Sequence, residues 1–85
     1  MHTRYIGNIR KASEATAKIK LFSREKNEFV GVWYYDHFDK GDLNTARGFL
    51  YGGYNIYLFQ KIDGRWQAPT VINGWDDWEQ LMKNF

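Results

Sequence analysis

In the stretch "ATAKIKLF" (15–22), Ala15, Ala17, Ile19 and Leu21 alternate with Thr16, Lys18, Lys20 and Phe22. A period of two marks a strand with one buried face. The polar "SREKNE" follows, and then "FVGVWYYDHF", rich in the β-branched and aromatic residues that suit a pleated surface. Together they predict a β-hairpin. Its second strand is apolar on both faces, so it is expected to be central or to lie under other material.

"DKGDLNTA" (39–46) has the chemistry of a turn, with Gly41 and side chains that hydrogen-bond their own backbone. Farther on, "YNIYLFQKI" and "RWQAPTVI" are separated by Asp63-Gly64, a dipeptide suited to a tight primed turn with positive φ angles. Pro69 cannot donate to a ladder, so the strand that contains it is expected at an edge. In "WDDWEQLMKNF", Trp75, Trp78, Leu81, Met82 and Phe85 fall on one helical stripe. Asn73 or a nearby Asp can cap that helix, and Asp76, Asp77 and Glu79 sit where its dipole favours negative charge. Both tryptophans are expected to dock on the sheet.

Residues 43–51 admit two readings. Gly52-Gly53 can form a hairpin turn that places Tyr51 opposite Tyr54, which is the reading preferred here. Alternatively, Asp42 caps a helix with Leu43, Ala46 and Leu50 on one face, ended by Gly52 in the left-handed conformation. Gly48 opposes the helix by about 1 kcal/mol relative to Ala. The expected fold class is α+β: an antiparallel sheet of four to five strands with the C-terminal amphipathic helix packed on one face.

Composition sharpens this picture. A chain of 85 residues has room for one domain, and without cysteine neither disulfides nor thiolate metal sites reinforce it. Sixteen residues are Phe, Tyr or Trp, each able to bury about 150–250 Å². That is more than a small core can take in, so some aromatics are expected on the surface, with Trp33 and Trp66 in the core. No stretch resembles a signal peptide or a membrane span, and a cytoplasmic protein with no membrane contact is expected. The charge is uneven. Residues 1–27 carry net +5 and residues 28–85 net −3, so a basic first third can steer a partner.

The candidate chemistry is sparse. His37 stands among Asp36, Asp39 and Asp42, but Phe38 and Lys40 occupy positions where a calcium loop needs oxygen ligands. Ser13 and Ser23 lack a nucleophile context. No metal, cofactor or catalytic residue is expected, and the protein is read as not an enzyme. The sharpest enzymatic alternative is a metal-independent ribonuclease that uses His37 with Lys40 or Arg47.

Two binding readings remain. In the first, Tyr34, Tyr35, Tyr51, Tyr54 and Tyr57 form a surface cluster that grips another protein, with Lys18 and Lys20 beside it. A homodimer seam is compatible with the same residues. In the second, the sheet binds single-stranded nucleic acid, with bases on the aromatics and phosphates on Lys18, Lys20, Arg47, Lys61 and Arg65. A small, cysteine-free, aromatic-rich chain without a catalytic motif resembles, in size and style, the accessory proteins of phages and other mobile elements. These act by occupying a surface on a host protein, anti-defence inhibitors among them. The expected function is therefore stoichiometric occlusion of a host protein, with nucleic-acid binding as the alternative.

Overall fold

The computed structural model describes His2–Arg4 as backbone and residues 14–85 with their side chains. The elements run β1 (His2–Arg4), β2 (Ala17–Ser23), β3 (Glu28–Tyr35), α1 (Lys40–Tyr51), β4 (Tyr54–Ile62), β5 (Arg65–Trp66), β6 (Thr70–Ile72) and α2 (Trp75–Lys83). The sheet order is β1-β3-β2-β4-β5, with β6 also on β4. β6 pairs with Ile56–Leu58 and β5 with Lys61 and Ile62, so the two share one edge of β4. Pro69 falls in the break between them, on the edge as expected. The fold is α+β with a curled, mainly antiparallel sheet and a C-terminal helix. β3 is interior, flanked by β2 and by the short parallel strand β1.

The β2–β3 and β4–β5 hairpins follow from their turns. Asn27 (φ 56°) bends the first, and Asp63 and Gly64 (φ 53° and 77°) make the second. Between Leu21 and Phe22 the β2–β3 register shifts, because Leu21 pairs with Gly31 but Phe22 pairs with Phe29. Val30 is the extra residue of a bulge, which increases the local twist. A Cβ at Gly31 would come within 2.7 Å of the Trp33 ring, which folds back over it, so Trp33 would have to shift to admit a larger residue.

The odd positions of β2 enter the core as the alternation predicts. Ala17, Ile19 and Leu21 pack with Ile56, Leu58, Ile72 and Tyr35 beneath Leu43, Ala46 and Leu50 of α1 and Trp78 of α2. Burial of each Leu or Ile side chain contributes about 1.5–3 kcal/mol. The Trp78 indole N–H is satisfied by donating to the Leu43 carbonyl at 3.0 Å, which ties α2 to α1.

The preferred hairpin reading of residues 43–51 is corrected, since they belong to α1. The decisive feature is a capping box one turn upstream. Asp39 Oδ1 accepts from the Asp42 N–H and Asp42 Oδ2 accepts from the Asp39 N–H, both at 3.0 Å. The backbone donor of Asp42 holds the Asp39 carboxyl below the usual carboxylate range. Gly48 faces open space, so it costs the helix its propensity and nothing more. At the other end Gly52 keeps φ −76° and Gly53 takes φ 93°, so the left-handed residue is Gly53 rather than Gly52.

Arg24 fastens this junction. Its Nη2 donates to the Leu50 carbonyl at 3.1 Å, and its Nη1 donates to Tyr54 O at 2.9 Å and Asn55 Oδ1 at 2.7 Å. The guanidinium thus satisfies a carbonyl of the last turn of α1 and locks the start of β4 to the β2–β3 hairpin.

α2 keeps the middle of its stripe, but Phe85 lies beyond the helix, which ends at Lys83, and is exposed. Trp78 is buried and Leu81 and Met82 pack against the core, but Trp75 is 39% exposed and does not dock on the sheet. The N-cap is Gly74 with no side-chain cap, and Asp77 Oδ2 instead accepts from the Asn73 N–H at 3.0 Å. No helix among the described residues is long and apolar enough to cross a membrane.

The two adjacent glycines should differ under mutation. Gly53→Ala places a side chain in the left-handed region and should cost about 1–2 kcal/mol in chemical denaturation. Gly52→Ala meets the Tyr54 ring at 3.4 Å and the Phe49 carbonyl oxygen at 3.5 Å, both ordinary contacts, and should change stability by less than about 0.5 kcal/mol. Equal losses at the two positions would contradict this turn.

Candidate functional site

Sending Ala17, Ile19 and Leu21 into the core puts Lys18, Lys20 and Phe22 on the opposite face of β2. Their neighbours follow from register. Lys18 pairs with Phe59 and Tyr34, Lys20 with Tyr57 and Val32, and Phe22 with Asn55 and Phe29. At the edge Lys61 pairs with Trp66. The buried side chains of α1 and α2 all join the core on the other side, so among the described residues no helix covers this face. Toward β1 the face closes over Val32, which is 4% exposed. The open part spans β2, β4 and β5.

The rings on this face pack in two groups. Phe22, Phe29 and Tyr57 meet edge-to-face, with centroids 5.1 and 5.0 Å apart. Beside them, Lys18 Nζ lies 4.3 Å from the Trp66 ring and 5.2 Å from Phe59, Lys61 Nζ 4.7 Å from Trp66, and Lys20 Nζ 5.3 Å from Phe59. Cation–π attraction holds the amines on the rings, while the amines repel one another. Burial, and then the charges of Lys20 and Lys61, push the Lys18 ammonium below the ordinary lysine value. No carboxylate pairs with these amines among the described residues, where the one ion pair is His37 with Asp36. The acidic groups of the helical layer, Asp76, Asp77 and Glu79, belong to α2 on the other side of the sheet.

The expected tyrosine cluster is divided. Tyr34 and Tyr57 share the open face with Lys18 and Lys20. Tyr35, their neighbour in sequence, points the other way. It is buried in the core against Phe38, 4.9 Å between ring centroids, and burial and then Asp42 push its phenol up to about 12. Tyr35 is therefore not a surface residue. Tyr54 packs against the core on the helical side. Tyr51, at the end of α1, is 76% exposed with its ring 4.6 Å from Trp75, the most open aromatic pair in this part of the molecule.

Sequence reasoning missed Phe29 and Phe59 and assigned Trp66 to the core. The signal that could have found Phe59 is its even spacing from Tyr57, once Lys20 is set opposite Tyr57. Of the basic first third, Arg10, Lys11 and Ser13 lie outside the described residues, as do the side chains of His2 and Arg4. Arg24 is consumed by two backbone carbonyls and the Asn55 side-chain oxygen.

His37 Nδ1 donates to Asp36 Oδ1 at 2.9 Å, with side chains 67% and 44% exposed. His37 lines an open cleft of about 310 Å³ together with Thr16, Gln60 and Lys61. Neither Lys40 nor Arg47 lines that cleft, and the Arg47 guanidinium instead lies 6.0 Å from the Trp78 ring. Among the described residues no group of three or more His, Asp and Glu can hold a metal ion. No protein-family model, curated protein or solved structure matches the chain.

The amine cluster has a pH signature. Folding disfavours the charged form of Lys18, a cost fully present at neutral pH. It is relieved as pH rises through the depressed value toward the ordinary one. In an NMR titration of the lysine side chains, Lys61→Gln should move the Lys18 midpoint upward, because one repelling charge is gone. An unchanged midpoint would show that Lys61 does not act on Lys18.

Proposed function

We propose that this protein is a non-catalytic binding module that occupies a polyanionic partner through the open face of its sheet. The observation that carries this reading is the convergence of Lys18, Lys20 and Lys61 on Phe59 and Trp66, with no carboxylate paired to them among the described residues. Like charges gathered without counter-charges cost stability, and an anion docked over them relieves that cost. The mechanism is occupancy: one copy covers one stretch of its partner. The lack of cysteine agrees with a reducing, cytoplasmic setting.

A second reading, occlusion of a host protein in the manner of small phage or mobile-element inhibitors, is favoured by Tyr51 and Trp75. This exposed, mutually packed pair is the kind of anchor found at interface centres.

Retention on immobilised heparin tests the first reading and separates it from the second. The wild-type protein should be retained at low salt and released as salt rises. The triple variant Lys18→Gln/Lys20→Gln/Lys61→Gln should flow through with its fold intact by circular dichroism. Tyr51→Ala should elute with the wild type. Retention of the triple variant at wild-type salt would overturn the sheet-face reading.

A further inference from the structure

We infer that the polyanion is single-stranded nucleic acid, with each cross-strand lysine–aromatic pair of the open face taking one nucleotide. This inference rests on the sheet-face reading above and narrows its partner. The open face holds three such pairs in register: Lys18 opposite Phe59, Lys20 opposite Tyr57 and Lys61 opposite Trp66. Each lysine thus has a ring directly beside it on the next strand, and Phe22, Phe29 and Tyr34 add rings to the same face. A nucleotide likewise places a phosphate beside a base.

The match favours a single strand over other polyanions. An acidic protein surface or a sulfated sugar can use the amines but does not offer a flat π-face beside each anionic group. A duplex offers phosphates but keeps its base faces stacked inward. A single strand uses both, because an unstacked base of any identity can lie on an aromatic ring. In the structure the amines themselves occupy two of these rings, Phe59 and Trp66, with Lys18 Nζ 4.3 Å from Trp66 and 5.2 Å from Phe59. Binding is then an exchange: the base replaces the amine on the ring, and the amine turns to the phosphate next to that base. The four lysine cation–π contacts give way to stacking and charge-assisted hydrogen bonds, and the like charges acquire counter-charges.

Fluorescence anisotropy with a labelled oligothymidylate of about ten nucleotides, a length within the range of known single-strand sites, tests this. A duplex of the same length and heparin serve as competitors. The oligothymidylate should bind more tightly than the duplex. The slope of log affinity against log salt should be about −2, as expected for roughly three phosphate contacts to a single strand. Lys61→Gln should reduce that slope by about 0.7. Phe59→Leu and Trp66→Leu preserve charge and should each weaken oligothymidylate binding by roughly 5- to 150-fold, with heparin affinity unchanged. Trp66 lies on a two-residue edge strand, so Trp66→Leu carries the test if Phe59→Leu fails to fold. Equal affinity for duplex and single strand, or leucine variants that bind as the wild type does, would overturn the stacking inference and leave the polyanion reading standing. Binding to neither heparin nor oligothymidylate would remove both.

Discussion

The packing of both helices onto one face of the sheet is the constraint on which the rest of the molecule depends. Leu43, Ala46 and Leu50 of α1 and Trp78 of α2 close over Ile19, Leu21, Ile56, Leu58 and Ile72. The Trp78 hydrogen bond to Leu43 joins the two helices into one cover. Among the described residues no helix lies on the opposite face, and its own side chains pack across it. Large rings pack edge-to-face across β2, β3 and β4, and the amines of Lys18, Lys20 and Lys61 sit over the Phe59 and Trp66 rings beside them. Half-buried aromatics beneath lysines are what an uncovered sheet face must use to remain both packed and soluble.

The charge distribution follows from the same division. The two helices bring acidic first turns, Asp42 in α1 and Asp76 and Asp77 in α2, where the helix dipole favours them. The lysines of β2 and β4 point away from these carboxylates, because the residues between them are needed for the core. The small net charge of +2 thus hides a basic aromatic face and, on the other side of the sheet, an acidic α2. Arg24 shows the limit of counting charges along the chain. It adds to the formal excess of the first third, yet its guanidinium binds three oxygens of the α1–β4 junction.

How much was legible in the sequence varies with the range of the interactions. The β2 alternation, the Asp63-Gly64 turn, the interior position of β3 and the stripe of α2 all depend on neighbours a few residues apart, and each is readable locally. α1 is hard to read locally because glycines weaken and end it, while its start is encoded by Asp39 and Asp42, an aspartate variant of the capping box. The parallel pairing of β1 with β3 left no local trace, since it joins His2–Arg4 to residues 31–33. The candidate face was half legible. Lys18, Lys20 and Tyr57 follow from alternation, but Trp66 joins them only through the β4–β5 register. Tyr35 was misplaced because adjacent strand residues point to opposite faces, so it could not share a surface with Tyr34.

The central claim, that the uncovered face of the sheet is the working surface, is tested most directly by amide NMR during titration with a short oligothymidylate. The account predicts shifts confined to residues of β2, β4 and β5 around Lys18, Lys20, Phe59, Lys61 and Trp66. Shifts centred on Tyr51 and Trp75, at the ends of the helices, with the sheet face silent, would contradict it.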